Sequence, residues 1–551
     1  MSLFPCFPAT LASCSPLAAG GAAAVFAVAP FALVALPVLG ALGLTLWPGP
    51  SQKAARRTGL VFSFSTLAVL VFLAAWAALA DGGGGGGGAA PSPAPMGENP
   101  GASPLLGGIS FRLALGGPAL LLVALAGIIA PMALGASREA GRGRLFNILF
   151  LLMQGATLGV FVAQNFFFWF LFWELSLFPA FFLLKLWGGA GAARAAYQFA
   201  LYTVGGSALM LLSFAAIYAA TGTWDFSALA HVDAAGAVAG KFGDPAVWLV
   251  FGGVLLGLAV KVPMFPFHTW LPDAYAEAPT GVSMFLTAVM AKMGLYGFFQ
   301  LLPGLFPRQL SAAAPVLIWL ALANVVLGAY AAIRQRDLKR MVAYSSVNHL
   351  GYCLLALFAV ARVSPAFPAG FSAGLPWEGA GAALGRGAHF AFGGAWLQMF
   401  NHGLSAAALF FCVGILADRA GGARGIGDFG GVRKVAPVFA ALCGFSMFSS
   451  LGLPGLNGFF GEYMVFRGVF AFAPWAAAVA TLGLLGTALF LLTFWQKVFH
   501  GPAGANTAAV SDLTVRERLI LAPVVVLMVL LGVWPQLLLD GLRALPPAAA
   551  W

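Results

Sequence analysis

The chain has 551 residues, of which 61% are hydrophobic and 8% are charged, and its formal net charge is +11. A soluble globular protein carries about 25% charged residues, so this composition excludes an ordinary water-soluble domain. The positive charge does not indicate nucleic-acid binding, because no segment between the apolar stretches is long enough to carry a basic patch on a folded aqueous domain.

Apolar segments of about 20 residues recur along the chain, which is the length that a helix needs to cross about 30 Å of hydrocarbon. The alternating ten-residue strands of a membrane β-barrel are not visible. We therefore predict an all-α polytopic membrane protein with about fourteen transmembrane helices. In chain order the predicted spans are 20–47, 59–80, 113–135, 146–163, 165–187, 198–220, 246–267, 282–302, 313–333, 341–361, 389–417, 435–469, 473–498 and 518–540.

The first apolar stretch is predicted to be a retained helix, because no basic residue precedes Lys53 and a cleaved signal peptide begins with a basic region. The connection 81–110 contains a glycine run and then several prolines. It lacks the Lys-Ser/Thr of a phosphate-binding loop, so we interpret it as a flexible linker. The five cysteines show no CxxC spacing and predict neither metal sites nor disulfides.

The distribution of Lys and Arg predicts the orientation. On alternate sides of the predicted helices, 18 of the 28 basic residues fall on one side and seven on the other. By the positive-inside rule the first side is cytoplasmic, which places both termini and the linker outside. Three lysines remain inside apolar segments: Lys185, Lys261 and Lys292.

Lys185 lies near the end of its helix, where a long side chain can reach the headgroups. Glu174 lies near the middle of the same helix, in the sequence Trp173-Glu174-Leu175. A charge at the bilayer centre costs about 2.5–3.5 kcal/mol on insertion scales, so we expect a partner or an internal polar cavity. Structural pairing of Glu174 without transport is the alternative.

Lys261 directly precedes Val262-Pro263-Met264-Phe265-Pro266. Each proline lacks an amide hydrogen, so this helix is predicted to break beside the lysine. Broken helices at membrane depth are tolerated where they line a polar cavity, and transporters build ion sites in this way. Lys292 is predicted to be buried in the following helix.

The second half contains a parallel set of ionisable residues. His349 and His402 lie in successive predicted helices, and Glu462 follows Gly452-Leu453-Pro454-Gly455, which predicts a second helix break. A single buried histidine is usually a satisfied core residue, but two in neighbouring helices favour a proton relay. Each half thus combines a broken helix with an ionisable residue, which is typical of repeated transporter architectures.

With these residues identified, the chain resembles the antiporter-like subunits of respiratory complex I over most of residues 140–500. The most specific stretch runs from Val260-Lys261-Val262-Pro263 through His268-Thr269-Trp270-Leu271-Pro272-Asp273. Shorter matches are Phe172-Trp173-Glu174, Ala278-Pro279-Thr280, Ala291-Lys292-Met293-Gly294 and Asp337-Leu338-Lys339-Arg340. One departure is Leu113–Pro118, where the family usually carries an aspartate.

The resemblance implies fourteen helices with two inverted five-helix repeats and breaks in helices 7 and 12. It implies N-terminal helices at 1–140, a first repeat at 141–302, a second at 303–500 and a C-terminal helix at 501–551. It also implies a proton relay from the Glu174–Lys261 pair through Lys292, His349 and His402 to Glu462. Because sister subunits typically carry lysine at the position of Glu462, that residue favours the subunit M group.

The implied function is proton translocation in the bacterial inner membrane, coupled to quinone reduction elsewhere in an NADH:quinone oxidoreductase. The implied partners are lipid and neighbouring membrane subunits, with neither nucleic acid nor a redox cofactor bound by this chain. Three alternatives remain open. They are an Mrp-type cation/proton antiporter subunit, an antiporter-like subunit of a membrane-bound hydrogenase, and a structural scaffold whose charges only hold helices together.

Overall fold

The computed structural model describes residues 16–81, 111–137, 143–229, 232–363 and 381–539. Within these ranges the chain is almost entirely helical, and its extended segments form isolated bridges such as that between Leu113 and Ala163. The Gly-rich linker, for which a flexible connection is predicted, lies outside the described residues. The all-helical architecture predicted from composition is confirmed.

The helices are numbered in chain order, and short ones are included. They are α1 Pro16–Leu46, α2 Gln52–Asp81, α3 Gly117–Ala136, α4 Arg144–Val162, α5 Phe166–Trp187, α6 Ala192–Thr221, α7 Phe226–Leu229, α8 Ala234–Phe242, α9 Asp244–Lys261, α10 Trp270–Glu277, α11 Thr280–Leu305, α12 Pro307–Ile333, α13 Leu338–Ala361, α14 Gly381–Arg419, α15 Pro437–Ser450, α16 Asn457–Phe472, α17 Pro474–Phe499 and α18 Val515–Val533.

Twelve of the described helices are long and apolar enough to cross a membrane by length and composition. The total of fourteen and the two inverted repeats stay predictions. Three of the twelve, α11, α13 and α14, are almost completely buried inside the protein and form its centre. Helix α14 packs along α13 on one side and along α16 on another.

The first helix break follows Lys261, where α9 ends, and helical structure resumes at Trp270. The side chain of Asn324 on α12 forms hydrogen bonds with the backbone of this break. Its side-chain oxygen accepts a hydrogen bond from Phe265 N at 2.6 Å, and its Nδ2 donates to Pro263 O at 2.9 Å. Because Asn324 pairs backbone groups that the break leaves without helical partners, the broken backbone is tolerated at this depth.

The second break separates α15 from α16, as the Pro and Gly residues predict. Gly452 and Gly455 have φ angles of 76° and 92°, a left-handed conformation that glycine adopts without a side-chain clash. An asparagine of α14 contacts the end of this break, since Asn401 Nδ2 donates at 2.6 Å to the carbonyl of Asn457, the first residue of α16, and Asn457 Nδ2 donates to Asn401 Oδ1 at 3.1 Å. Both predicted interruptions are confirmed.

Candidate functional site

Glu174 and Lys261 form the first part of the candidate site. Glu174 lies on α5, and Lys261 is the last residue of α9, with only 4% of its surface exposed. The carboxylate of Glu174 is close enough to act electrostatically on Lys261. No ion pair within 4.0 Å joins them in the described part of the chain, so the two residues are neighbours without direct contact.

The ammonium group of Lys261 instead faces an aromatic ring. Its Nζ lies 5.0 Å from the ring centroid of Trp173, and it has no hydrogen-bond partner among the described residues. Trp173 is held by a hydrogen bond from its Nε1 to Ser207 Oγ at 3.0 Å and by stacking on Trp169. A cation over an aromatic face is attracted by about 2 kcal/mol when it is buried, so Trp173 contributes to holding Lys261 in place of an ion pair.

Lys292 lies on α11, two residues after the end of a π-helical segment, Leu286–Met290, and is completely buried. Its Nζ contacts Thr287 O at 2.6 Å, within the π-helical segment, and His402 Nδ1 at 2.8 Å. Segments of this kind are rare and occur frequently at functional sites, because they change the direction of the side chains around them. The segment therefore places Lys292 directly against a histidine of another helix.

The two histidines and Glu462 continue this contact. The ring centroids of His402 and His349 lie 5.2 Å apart, and His349 Nδ1 lies 3.2 Å from Glu462 Oε1. All three residues are at least 94% buried. Four of the six candidate residues thus form one continuous row: Lys292, His402, His349 and Glu462.

Lys261 and Lys292 do not contact each other directly. The helices that carry them are packed closely, because a Cβ atom added at Gly294, two residues beyond Lys292, would lie 3.3 Å from Lys261 Cβ. Lys185 takes no part in the row. Its Nζ hydrogen bonds to the Tyr197 hydroxyl at 2.8 Å at an exposed position, which agrees with its predicted location near a helix end.

Sequence reasoning did not identify Gln398, although this residue touches the row. Its Nε2 lies 3.2 Å from His349 Nδ1 and 3.5 Å from Glu462 Oε1. Gln398 precedes His402 by one helical turn, and residues four apart share a helix face. The four-residue spacing is visible in the sequence, but it indicates a role for Gln398 only after His402 has been assigned to the relay.

A separate charged cluster connects the helix ends on the side predicted to be cytoplasmic. Arg424 pairs with Glu277 at 3.3 Å and with Asp337 at 3.1 Å, and its Nη1 donates to Ala276 O at 2.5 Å. Arg340 pairs with Asp273. These contacts fasten the end of the first broken helix to the loops that flank α13 and α14.

A buried row of ionisable groups between two broken helices defines a class of membrane transporter, and comparison with known proteins identifies the family. The model of the NADH:quinone oxidoreductase/Mrp antiporter transmembrane family matches residues 163–367 and 382–489. The chain belongs to this family.

Within the family, the chain is similar to NADH-quinone oxidoreductase subunit M of Rhodobacter capsulatus. The two are 34% identical over 443 residues, which cover 79% of this chain and 80% of the relative. A chain in the structure of respiratory complex I from Thermus thermophilus with bound NADH matches with a TM-score of 0.74 and 27% identity, covering 95% of this chain and 99% of that one. A chain of the Mrp complex from Dietzia has the same fold, with a TM-score of 0.74, 20% identity and coverage of 96% and 97%.

Proposed function

We propose that this chain is a proton-translocating membrane subunit of a bacterial NADH:quinone oxidoreductase. The observation that carries the proposal is the continuous buried row from Lys292 through His402 and His349 to Glu462. Ionisable groups inside a membrane protein are expensive to bury, and chains of Glu and His in pumps and transporters mark proton relays. The similarity to subunit M of Rhodobacter capsulatus supports the assignment of the complex.

The proton starts at Lys261, which lies outside the row and close to its first member, Lys292. When Lys261 moves from the face of Trp173 toward Glu174, the ion pair stabilises its charged form; when it moves away, the proton is held less tightly. Release of that proton toward Lys292 is then favoured. The coupling works through shifts in the proton affinities of neighbouring groups, and such shifts act reciprocally between the linked sites.

Lys292 passes the proton to His402 across the 2.8 Å contact, in which the Lys292 N–H bond breaks as the His402 N–H bond forms. The proton then moves from His402 to His349 and from His349 Nδ1 to Glu462. Movement between the two rings requires a ring rotation or an intervening water, because their centroids are 5.2 Å apart. Glu462 delivers the proton toward the outer side.

The chain itself is proposed to hold no redox cofactor, and quinone reduction takes place in partner subunits of the complex. Its location is the inner membrane, with both termini on the periplasmic side as the distribution of basic residues indicates. Its partners are the neighbouring membrane subunits and lipid.

Substitution of Lys292 by Met tests the relay. We expect proton pumping through this chain to fall about 100-fold or more, since positioned acid–base groups typically contribute 10²–10⁴-fold. The assay compares proton uptake by membrane vesicles with their NADH oxidation. Lys185→Met is the matched control, because Lys185 lies outside the row. Normal pumping by assembled Lys292→Met complex would refute the relay and favour the scaffold alternative.

A second candidate function is cation/proton exchange without redox coupling, which the shared fold with the Mrp complex allows. Glu462 favours the first candidate, since the resemblance implies lysine at this position in Mrp-type subunits. Purification separates the two functions. Co-isolation with subunits that oxidise NADH supports the first, whereas sodium-dependent proton exchange without NADH oxidation supports the second.

A further inference from the structure

Gln398 lies on α14 between the last histidine of the row and Glu462. We propose that this amide is a positioning residue that controls proton transfer from His349 to Glu462. The proposal rests on the relay described under the proposed function, but concerns a residue that is not itself ionisable. Gln398 is 98% buried, and an amide at this depth normally has both its donor and its acceptor paired.

Three atoms form a triangle at this point. Gln398 Nε2 lies 3.2 Å from His349 Nδ1 and 3.5 Å from Glu462 Oε1, and the same two atoms of His349 and Glu462 lie 3.2 Å apart. The Nε2 group carries two hydrogens and can donate one to each neighbour. It therefore stabilises one particular state, in which Nδ1 of His349 is bare and Glu462 is ionised.

His349 Nδ1 carries either one hydrogen or one lone pair in the plane of the ring, so it forms a hydrogen bond with one partner at a time. When Nδ1 is bare it accepts from Gln398, and when it carries a hydrogen it donates to Glu462. A proton arriving at Nδ1 thus displaces the amide from the histidine. Transfer then breaks the N–H bond of His349 and forms an O–H bond on Glu462, without oxidation or reduction of either group.

The other end of the amide does not oppose this preference. Gln398 Oε1 is buried and has no hydrogen-bond partner among the described residues, so no other donor holds the amide in a different orientation. In this orientation the amide turns a donor toward Glu462, and an ionised carboxylate is a stronger acceptor than a carboxyl that carries its proton. The amide therefore favours the state in which Glu462 is ionised.

The glycine beside Glu462 leaves space for this amide. A Cβ at Gly461 would lie 2.5 Å from Gln398 Oε1 and 3.0 Å from Gln398 Cα. The second of these atoms belongs to the backbone and cannot move aside easily. Gly461, next to Glu462 in the chain, thus allows the α16 backbone to approach α14 closely enough for the triangle to form.

The other ionisable groups near His349 surround it without entering the triangle. They are the His402 ring, with a centroid distance of 5.2 Å, the Tyr352 ring at 6.3 Å, and the Cys353 thiol, which donates to His349 O at 3.9 Å. Lys292 lies beyond His402. Loss of the amide therefore acts chiefly on the exchange between His349 and Glu462.

The experiment replaces Gln398 by Leu in the whole complex and measures the ratio of protons pumped to NADH oxidised between about pH 6 and pH 9. Without the amide donor, the state with bare Nδ1 and ionised Glu462 loses a hydrogen bond, so the pair retains its proton more tightly. A hydrogen bond to a charged group corresponds to about a tenfold change or more. We expect half-maximal pumping to shift by about one pH unit toward alkaline pH.

The matched control is Gln154→Leu. Gln154 is equally buried, its Nε2 donates to Thr66 Oγ1 at 2.9 Å, and its Oε1 also has no partner in the described chain, but it lies on α4 away from the row. The control should pump with an unshifted pH profile. A second variant, Gln398→Met, keeps an unbranched side chain in case the leucine variant does not assemble.

The outcomes separate this inference from the proposed function. A uniform fall in pumping at every pH, or no change, in both Gln398 variants overturns the positioning role. If Lys292→Met blocks pumping in the same experiment, the relay stands even though the role of Gln398 fails. If Lys292→Met pumps normally, the relay itself is wrong.

Discussion

Replacement of Asn324 by Leu removes the amide that forms hydrogen bonds with the backbone of the first helix break. Two hydrogen bonds are lost, from Phe265 N and to Pro263 O, and both backbone groups are left without these partners. An unpaired buried polar group costs about 1–3 kcal/mol. Since Phe265 is only partly buried, we expect a total destabilisation of about 2–4 kcal/mol.

A second variant keeps the shape of the side chain. Asn324→Asp keeps an oxygen that can accept from Phe265 N, but it loses the donor to Pro263 O and places a carboxyl at a site that is only 1% exposed, so its effect should be at least as large as that of Asn324→Leu. The assay is the midpoint of thermal unfolding of the detergent-solubilised complex, together with its pumping ratio. We expect a midpoint several degrees lower in Asn324→Leu and reduced pumping, because Lys261 lies at the start of the break.

The control variant is Val316→Ala on the same helix. Val316 is 63% exposed, and substitutions of this kind usually change stability by less than about 0.5 kcal/mol. If Asn324→Leu unfolds and pumps like Val316→Ala, the asparagine does not stabilise the break and the reasoning is wrong.

Two further predictions concern the first turn of α18 and the segment before it. Glu517→Gln should lower the thermal midpoint markedly, because the buried pair between Glu517 and Arg419, at 2.7 Å, costs about 3–5 kcal/mol to break from one side; an unchanged midpoint would contradict this. Asp512 accepts hydrogen bonds from the backbone N–H groups of Val438 and Phe439 at the start of α15, and one from Leu513 N. Partial burial acts to raise the pKa of Asp512, but these three bonds and the charge of Arg518 outweigh it, so the pKa lies below 3.8. This contribution to stability is therefore complete above about pH 4 and is lost as the pH falls through the native pKa, and Asp512→Ala should remove the acid-dependent part of amide protection in α15 as measured by hydrogen exchange.

Both helix breaks were predictable from the sequence because proline cannot donate a helical hydrogen bond and glycine permits left-handed turns. The chain places these residues beside Lys261 and Glu462, so the local chemistry determines where each helix stops. The exact ends were less predictable. The span predicted at 246–267 ends as a helix at Lys261, since the backbone after it is held by a side chain from α12.

The ionisable residues of the site were found because charge is costly in an apolar segment. Which of them touch could not be found in this way. Sequence separations of 110 residues between Lys292 and His402 and of 64 between Gln398 and Glu462 carry no distance information. The structure supplies those contacts, and it also shows that Lys261 faces Trp173 rather than forming an ion pair with Glu174.

Polar residues that are not ionisable were missed for a different reason. Asn324, Gln398 and Asn401 are unremarkable in composition, because a buried amide costs less than a buried charge and membrane helices contain many such residues. Their importance comes from the neighbour to which each donates. Such contacts arise from tertiary packing and leave little trace in a single sequence.

The π-helical segment before Lys292 amounts to one residue more than a regular helix needs. Each residue of a regular helix turns the chain by about 100°, and the wider π turn takes up one extra residue without that rotation. Deletion of one residue between Leu286 and Met290 would therefore restore a regular helix and leave Lys292 close to its present direction. In a regular helix each carbonyl accepts from the amide four residues further on, so Thr287 O, which the Lys292 ammonium group contacts at 2.6 Å, would be engaged by the backbone instead. The wide turn thus supplies Lys292 with an acceptor beside His402.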